Sequence, residues 1–506
     1  SRLRPSRKLS PRSPNLRPTW SRSRKFVKIL VAASEAVPFC KTGGLADVVG
    51  ALTQRLGALG HDVCLFLPKY RSVRAASLEG GMAQTIKVPL SGGMIDVGLS
   101  FLHRRGVSVY FVDYPLFFDR EGLYGSAGKD HEDNDRRFAL FSRAVLEGAK
   151  AIGFKPDVIH IHDWQTGLVA AHLKRHYASD PHFAGSGCVF TIHNMAYQGN
   201  FPRAALEAAG FGPEDWSAES LEYYGQVSYL KAGIAHADRL TTVSPSYARE
   251  IQESSDRGFG LEGLLSRRTK DLRGIMNGID LEVWDPVRDA ALPRRYAADD
   301  AAAGKAACKE ALQRECGLET RGDRPLIGVV SRLDYQKGLD LALAALEPRL
   351  DRCQLVVIGT GDPSLTELFA ALERRRAGSV HFQRSFNEQF AHHVYAASDI
   401  FLMPSRFEPC GLGQMIAMRY GAVPLTSRTG GLGDTVFETS SEGRPANGFL
   451  CAPGDGADLA RALDRALAAT QAPDWGARVR AGMSGDFSWD RSVSEYVDLY
   501  KEAART

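Results

Sequence analysis

"FVKILVAASEAVPFCKTGGLADVVGALTQRLGALGHDVCLFLP", residues 26–68, decides the reading of the fold. The apolar run "FVKILVAAS" leads through a Gly-Gly turn into the helix-period stretch "LADVVGALTQRLGALG" and on to a second apolar run, "DVCLFLP". Strands buried on both faces read as continuous apolar runs, and helical stretches between them supply the cover. The same rhythm continues in "PDVIHIHD", "CVFTIHN" and "RLTTVS", each ending in polar residues. It breaks at about 285–320, in the polar, Ala-rich "DPVRDAALPRRYAADDAAAGKAACKEAL". It restarts with "PLIGVVSRL", "CQLVVIGTGD", "VHFQRSF", "DIFLMPS" and "AVPLTS". The expectation is an α/β chain of two doubly wound parallel-sheet domains, and a length of 506 residues also favours more than one core.

In doubly wound sheets the ligand lies beyond the carboxyl ends of the strands, so the residues just after strands carry the chemistry. In the second half, "SRLDYQKG" (331–338) places Arg332 and Lys337 around a turn before a helix. A guanidinium fork and an ammonium converging on one place suit a diphosphate whose charge grows as it leaves. Two solvated loop cations would look the same in isolation. "PSRFEPCGLGQMIAMRYG" (404–421) enters a helix at Gly411 and Leu412, and Glu408 stands just before them. A carboxylate beside an anion site needs a partner, such as sugar or ribose hydroxyls or a developing cation. "TGGLGDTV" (429–436) sets Thr429, Gly430 and Gly431 at a further helix start.

The matching loops of the first half are "HIHDWQTG" (160–167) and "TIHNMAYQG" (191–199). H-x-H is half of a metal site, but the further ligands are not evident at other strand ends, so no metal is expected. Asp163 and Trp164 suit a sugar, by hydrogen bonding and stacking. His193 and Asn194 follow a buried strand; the imidazole either satisfies backbone carbonyls or donates to a sugar hydroxyl or the leaving phosphate. "GIMNGID" (274–280) puts Asn277 at the crossing between the two halves, where "NGID" is also simply a good turn.

"CKTGGLADVVGAL" (40–52) is not a nucleotide P-loop, because Lys41 precedes the glycines and the Gly-Lys-Ser/Thr step is missing.

Composition narrows the class. The formal charge is +4, yet residues 1–25 alone hold seven Arg, two Lys and no acid, so the tail carries +9 and the remainder −5. A mildly acidic body argues against a nucleic-acid enzyme, which carries its positive stripe on the folded surface. The tail itself has almost nothing to bury and is expected to be disordered. Arg- and Ser-rich and free of acid, it resembles the end of a plastid transit peptide. A bacterial cytoplasmic protein with a cloning or gene-model remnant is the alternative. No run approaches the roughly 18 apolar residues of a membrane span. The eight cysteines show no C-x-x-C pair, which fits a reducing compartment. Cys40 and Cys410 lie beside the motifs and would expose activity to thiol oxidation if they were accessible.

With these residues in hand, the chain resembles the bacterial-type glycogen synthase and starch synthase family, retaining glucosyltransferases that lengthen an α-1,4-glucan from ADP-glucose. The motifs run in order from "KILVAASEAVPFCKTGGLADVVGAL" through "FFDREGLYG", "HDWQTG", "TIHNMAYQG", "NGID", "SRLDYQKG", "PSRFEPCGLGQ" and "RTGGLGDTV" to "FSWDRSVSEYVDLY". The resemblance implies the glycosyltransferase B fold: two Rossmann-like domains, 26–275 and 276–484, facing a closing cleft, with a C-terminal helix in 485–506 crossing back to the first. It implies no metal or other cofactor, and ADP-glucose and α-1,4-glucan as partners, with UDP-glucose or a non-catalytic glucan-binding role as alternatives. The catalytic set it implies is Lys41, Asp163, His193, Arg332, Lys337 and Glu408. Around the nucleotide sugar it implies Gly43, Gly44, Asn277, Phe386, Cys410, Gly411, Leu412, Thr429, Gly430 and Gly431, together with Lys41, Arg332 and Lys337. Asp47, Tyr124, Trp164 and Asn194 would hold the acceptor. The chain departs from the family where Phe386 replaces a frequent Tyr, Gly413 a frequent Thr, and Ile416 the second Glu of a pair seen in some relatives of the fold.

Overall fold

A computed structural model describes residues 26–73, 84–90, 92–126, 128–441 and 443–504; the basic leader, with the targeting and disorder readings that rest on it, lies outside them. The opening stretch folds as read: strand Lys28–Ala32, helix Gly44–Ala58, strand Asp62–Pro68, with the two strands parallel. Both strands are buried along nearly their whole length, which is why their sequence shows no alternation.

Among the described residues the first sheet has nine strands in the spatial order Leu272–Gly274, Arg239–Thr242, Gly187–Ile192, Val158–His162, Lys28–Ala32, Asp62–Pro68, Val107–Asp113, Gly93–Arg104 and Gln84–Leu90. The last two join antiparallel, a departure from the all-parallel expectation. The physical reason is connection length. Arg105 and Gly106, both at positive φ (48° and 78°), make a tight hairpin between Arg104 and Val107, and a two-residue link cannot carry the crossover that parallel pairing needs.

The second sheet has, among the described residues, six strands, all paired in parallel: Val380–Gln383, Gln354–Ile358, Leu326–Val330, Ile400–Met403, Val423–Ser427 and Phe449–Cys451. The final helix, Trp489–Ala503, returns to the first domain and shares its core: His160 bonds Tyr500 at 2.8 Å, and Arg55 pairs with Asp490.

In each sheet one strand is flanked by neighbours reached in opposite chain directions, and crevices open at such switch points. In the first sheet Lys28–Ala32 lies between Asp62–Pro68 and Val158–His162; in the second, Leu326–Val330 lies between Gln354–Ile358 and Ile400–Met403. The connections 33–43, Asp163, 331–338 and 404–412 therefore leave the sheets at the two switch points. Among the described residues no helix is long and apolar enough to cross a membrane.

Candidate active site

On the second-domain side, Lys337 closes a short 3-10 turn whose amide is capped by Asp334, and its Nζ lies 2.6 Å from Glu408 Oε2. Ser405 donates to the same carboxylate oxygen at 3.0 Å. Glu408 thus has the neighbouring ammonium as a partner. Arg332 leaves the same strand, reaching Asp334 at 3.2 Å and the hydroxyl of Tyr197 in the facing domain at 3.3 Å. Gly411, at φ 72°, turns the 404–412 loop into helix Gly413–Arg419, and Gln414 braces it by donating to the carbonyls of Cys410 and Gly411. Phe386 stands 58% exposed, just ahead of helix Glu388–Ala397.

On the first-domain side Asp163 sits immediately after strand Val158–His162 at φ 55°, ψ −176°, a conformation largely reserved for glycine. Strain of this kind is held only where the surroundings over-determine it, and it marks functional positions. Asp163 Oδ1 accepts from the His193 amide at 2.7 Å, so it fixes the backbone on which His193 and Asn194 ride. Burial pushes the Asp163 carboxyl up to about 7. Burial also pulls His193 and His160 down to about 3, and His162 well below its ordinary value. The three imidazoles are therefore uncharged near neutral pH. His162 Nδ1 faces His193 Nε2 at 3.0 Å, while His160 is consumed by Tyr500 and Thr191. Among the described residues no three His, Cys, Asp or Glu side chains are grouped to hold a metal.

Gly43 and Gly44 open helix Gly44–Ala58 across from Leu412: a Cβ on Gly44 would meet only Leu412 Cδ1, at 4.0 Å, and one on Gly43 nothing within 4 Å among the described residues. Asn194 reaches across the cleft to Gln336 at 3.4 Å. Asn277 is buried at the domain crossing beside Met276 and Cys410, and its Oδ1 has no protein partner among the described residues. A buried orphan acceptor there suits a ligand hydroxyl.

Several expectations need correction. Trp164 does not present a face to a sugar: it is buried, with Phe138 edge-on at 4.9 Å, Phe201 at 5.7 Å and the Gly199 backbone against it. Asp47 is the counter-charge of Lys41, 2.7 Å away, instead of an acceptor contact. The Tyr124 hydroxyl donates to Glu35 at 2.7 Å and contacts Ser34 at 2.6 Å, so it orders the loop and is not free for the acceptor. Thr429 and Gly430 donate to Glu250 of the facing domain, at 3.1 and 2.7 Å, and the Gly431 amide donates to the Pro409 carbonyl, which removes them as diphosphate donors. Cys40 and Cys410 are buried, and burial pushes both thiols up to about 12, so neither is an oxidation-prone thiolate.

Glu35, Glu250, Tyr197 and Gln336 escaped sequence reasoning. Glu35 alone had a signal, as a single acid inside the apolar "AASEAVPF" just beyond a strand. Its carboxylate accepts from the Thr42 amide (2.5 Å), the Thr42 hydroxyl (2.8 Å) and the Gly43 amide (3.3 Å).

Residues 28–267 match the family model for the starch synthase catalytic domain, and 324–469 that for glycosyl transferases group 1. The chain is 48% identical over 479 residues to a glycogen synthase of Elusimicrobium minutum, covering 94% of this chain and 99% of that one. It is 46% identical over 480 residues to a glycogen synthase of Syntrophotalea carbinolica, with the same coverage. The catalytic domain of starch synthase IV from Arabidopsis thaliana, solved with ADP and acarbose bound, superposes with a TM-score of 0.88 at 34% identity, covering 95% of this chain and 100% of that one. Two facing Rossmann-like domains with this site between them are the glycosyltransferase B arrangement, and the chain belongs to the glycogen synthase and starch synthase family of glycosyltransferases.

Proposed function

We propose that this protein transfers glucose from ADP-glucose to the non-reducing end of an α-1,4-glucan with retention of configuration. The observation that carries the reading is the meeting of Arg332, Lys337 and Glu408 at one switch point, opposite Lys41, Asp163 and His193 at the other. Arg332 and Lys337 receive the diphosphate, with Lys41 reaching it when the cleft closes. Their charge opposes the negative charge that grows on the leaving group, so the reading calls for no metal ion or other cofactor. Glu408 lies at the transferred glucose, Cys410, Gly411 and Leu412 line its other side, and Phe386 stacks on the base. The glucan end rests on the first domain near Asn194, and neutral His193 offers it hydrogen bonds without adding charge. The bond from C1 to the diphosphate oxygen breaks as the acceptor 4-hydroxyl oxygen bonds C1 on the same face. The hydroxyl proton passes to the departing phosphate oxygen, and the closed cleft keeps water out.

The test is incubation with labelled ADP-glucose or UDP-glucose and a maltooligosaccharide, followed by product sizing. Extension from ADP-glucose is expected; extension from UDP-glucose alone reassigns the donor, and none from either overturns the reading. Lys337→Ala or Arg332→Ala should lower turnover by about 10²-fold. For location, the bacterial relatives give the plastid reading of residues 1–25 no support, and we place the protein in a bacterial-type cytoplasmic setting. Import of a reporter carrying residues 1–25 into isolated chloroplasts would reverse that.

A further inference from the structure

Tyr335 is 74% exposed, yet its ring is held firmly. The Arg406 guanidinium lies 4.0 Å from the ring centroid. Arg406 is itself clamped by two bonds to Asp340 (2.8 and 2.7 Å) and one to the Tyr335 carbonyl (2.9 Å). One face of the ring thus rests on a fixed cation and the rest stands open, at the edge of a cavity of about 680 Å³. That volume is in the range of small-ligand pockets. Arg332, Asp334, Asp340, Thr360, Asp362 and Ser364 line it.

The carboxylates of this cavity are oriented before any ligand arrives. Asp334 faces Arg332 and caps the Lys337 amide, and Asp362 caps the helix Pro363–Arg375 through the amides of Ser364 and Leu365. Three carboxylates outnumber the one guanidinium, Arg332, whose charge Asp334 already meets, so the rim disfavours an anion and, with its two hydroxyls, suits a neutral ligand rich in hydroxyl donors. A backed aromatic face suits the C–H face of a pyranose ring. Of the residues that line the cavity, Arg332 alone belongs to the donor contacts proposed above, so the cavity adjoins the diphosphate site without sharing its other groups.

We propose that this cavity is an anchoring subsite for the α-1,4-glucan on the second domain: Tyr335 stacks on a glucosyl unit and the carboxylates accept its hydroxyls, holding a stretch of chain away from the reacting end. The inference rests on the glucan reading given above, and its test separates the two. The full chain, with Tyr335→Ala and Tyr335→Trp variants, is run in native gels containing glycogen, titrated with ADP, and assayed on maltotriose and on glycogen. Tyr335→Ala should weaken retardation by glycogen and raise KM for glycogen about 3- to 10-fold. Turnover on maltotriose and ADP affinity should stay unchanged, and Tyr335→Trp should bind glycogen at least as well as the parent. Unchanged glycogen retardation in Tyr335→Ala overturns the subsite. Loss of ADP affinity or of maltotriose turnover also overturns it, by placing Tyr335 at the nucleotide sugar. Retardation that depends on Tyr335 in a protein that extends no glucan would keep the subsite and remove the activity.

Discussion

The chain carries Thr-Gly-Gly-Leu twice, at 42–45 and at 429–432, and the two copies need their glycines for opposite reasons. Each opens a helix and each has a carboxylate at its start: Glu35 accepts from the amides of Thr42 and Gly43 and the Thr42 hydroxyl, Glu250 from the Thr429 hydroxyl and the Gly430 amide. Glu35 belongs to the same domain as its loop; Glu250 reaches in from the other. Around Gly43 and Gly44 a side chain would meet almost nothing of the protein, and Gly43, at φ −153°, is in ordinary extended backbone. Neither packing nor conformation demands glycine there, in keeping with the donor contact proposed above. Around Gly430 and Gly431 the protein is already in the way. A Cβ on Gly430 would overlap the Glu408 carbonyl oxygen, and one on Gly431 would come within 2.7 Å of Cys410 Cα. The second loop is a buttress for the Glu408–Cys410 backbone, and Ser246, bonded to Asp434 at 2.6 Å, ties that buttress to the first domain.

The largest effect should come from Gly430→Ala. The position combines φ 45° with the overlap on Glu408, so the variant should lose about 3 kcal/mol of stability, read by urea denaturation, together with activity. Parent-like stability would break the distinction between the loops. Gly43→Ala is the converse and should be intermediate in size. Its unfolding free energy should stay within about 0.5 kcal/mol of the parent, while turnover at low ADP-glucose falls about 10-fold, because close approach to the donor is what the glycine allows. A stability loss without a kinetic one would make this loop a packing loop like the other.

The smallest effect concerns the charge on the first loop's cap. Asp163 holds its proton up to about 7, mainly through burial, with Glu35 adding a minor push in the same direction. An unfolded Asp releases its proton near about 4. The folded form therefore binds the extra proton between those values. The contribution of Asp163 to stability is full below the ordinary carboxylate range and is lost as pH rises through 7. Glu35→Gln should lower the Asp163 midpoint modestly, followed by carboxyl carbon NMR, and leave most of the shift in place. An Asp163 that returns to the ordinary range would mean that charge, not burial, sets it.

Motifs at strand ends were legible because doubly wound sheets put ligands there whatever the details: "SRLDYQKG" and "EPCGLG" lie where a switch point must place them, and Lys337 meets Glu408. Residues whose role depends on an approach from a distant segment were not legible. Trp164 and Tyr124 carry sugar-binding groups, but Phe138 and Glu35 already occupy them. Glu250 shows nothing in "SYAREIQE" that points to a loop 179 residues later. The edge hairpin at 104–107 was missed because the alternation of short apolar runs and helices says nothing of strands joined without a helix between them.

By itself the sequence determined the two doubly wound domains, the family, and which strand-end loops stand at the switch points, because periodicity and loop position are local properties of the chain. Tertiary structure alone decided what each Gly-Gly loop is for, which acid caps which amide, and which aromatic faces stay open. Those depend on what stands across a gap of a few ångströms, and two identical tetrapeptides can face open space in one place and a carbonyl oxygen in the other.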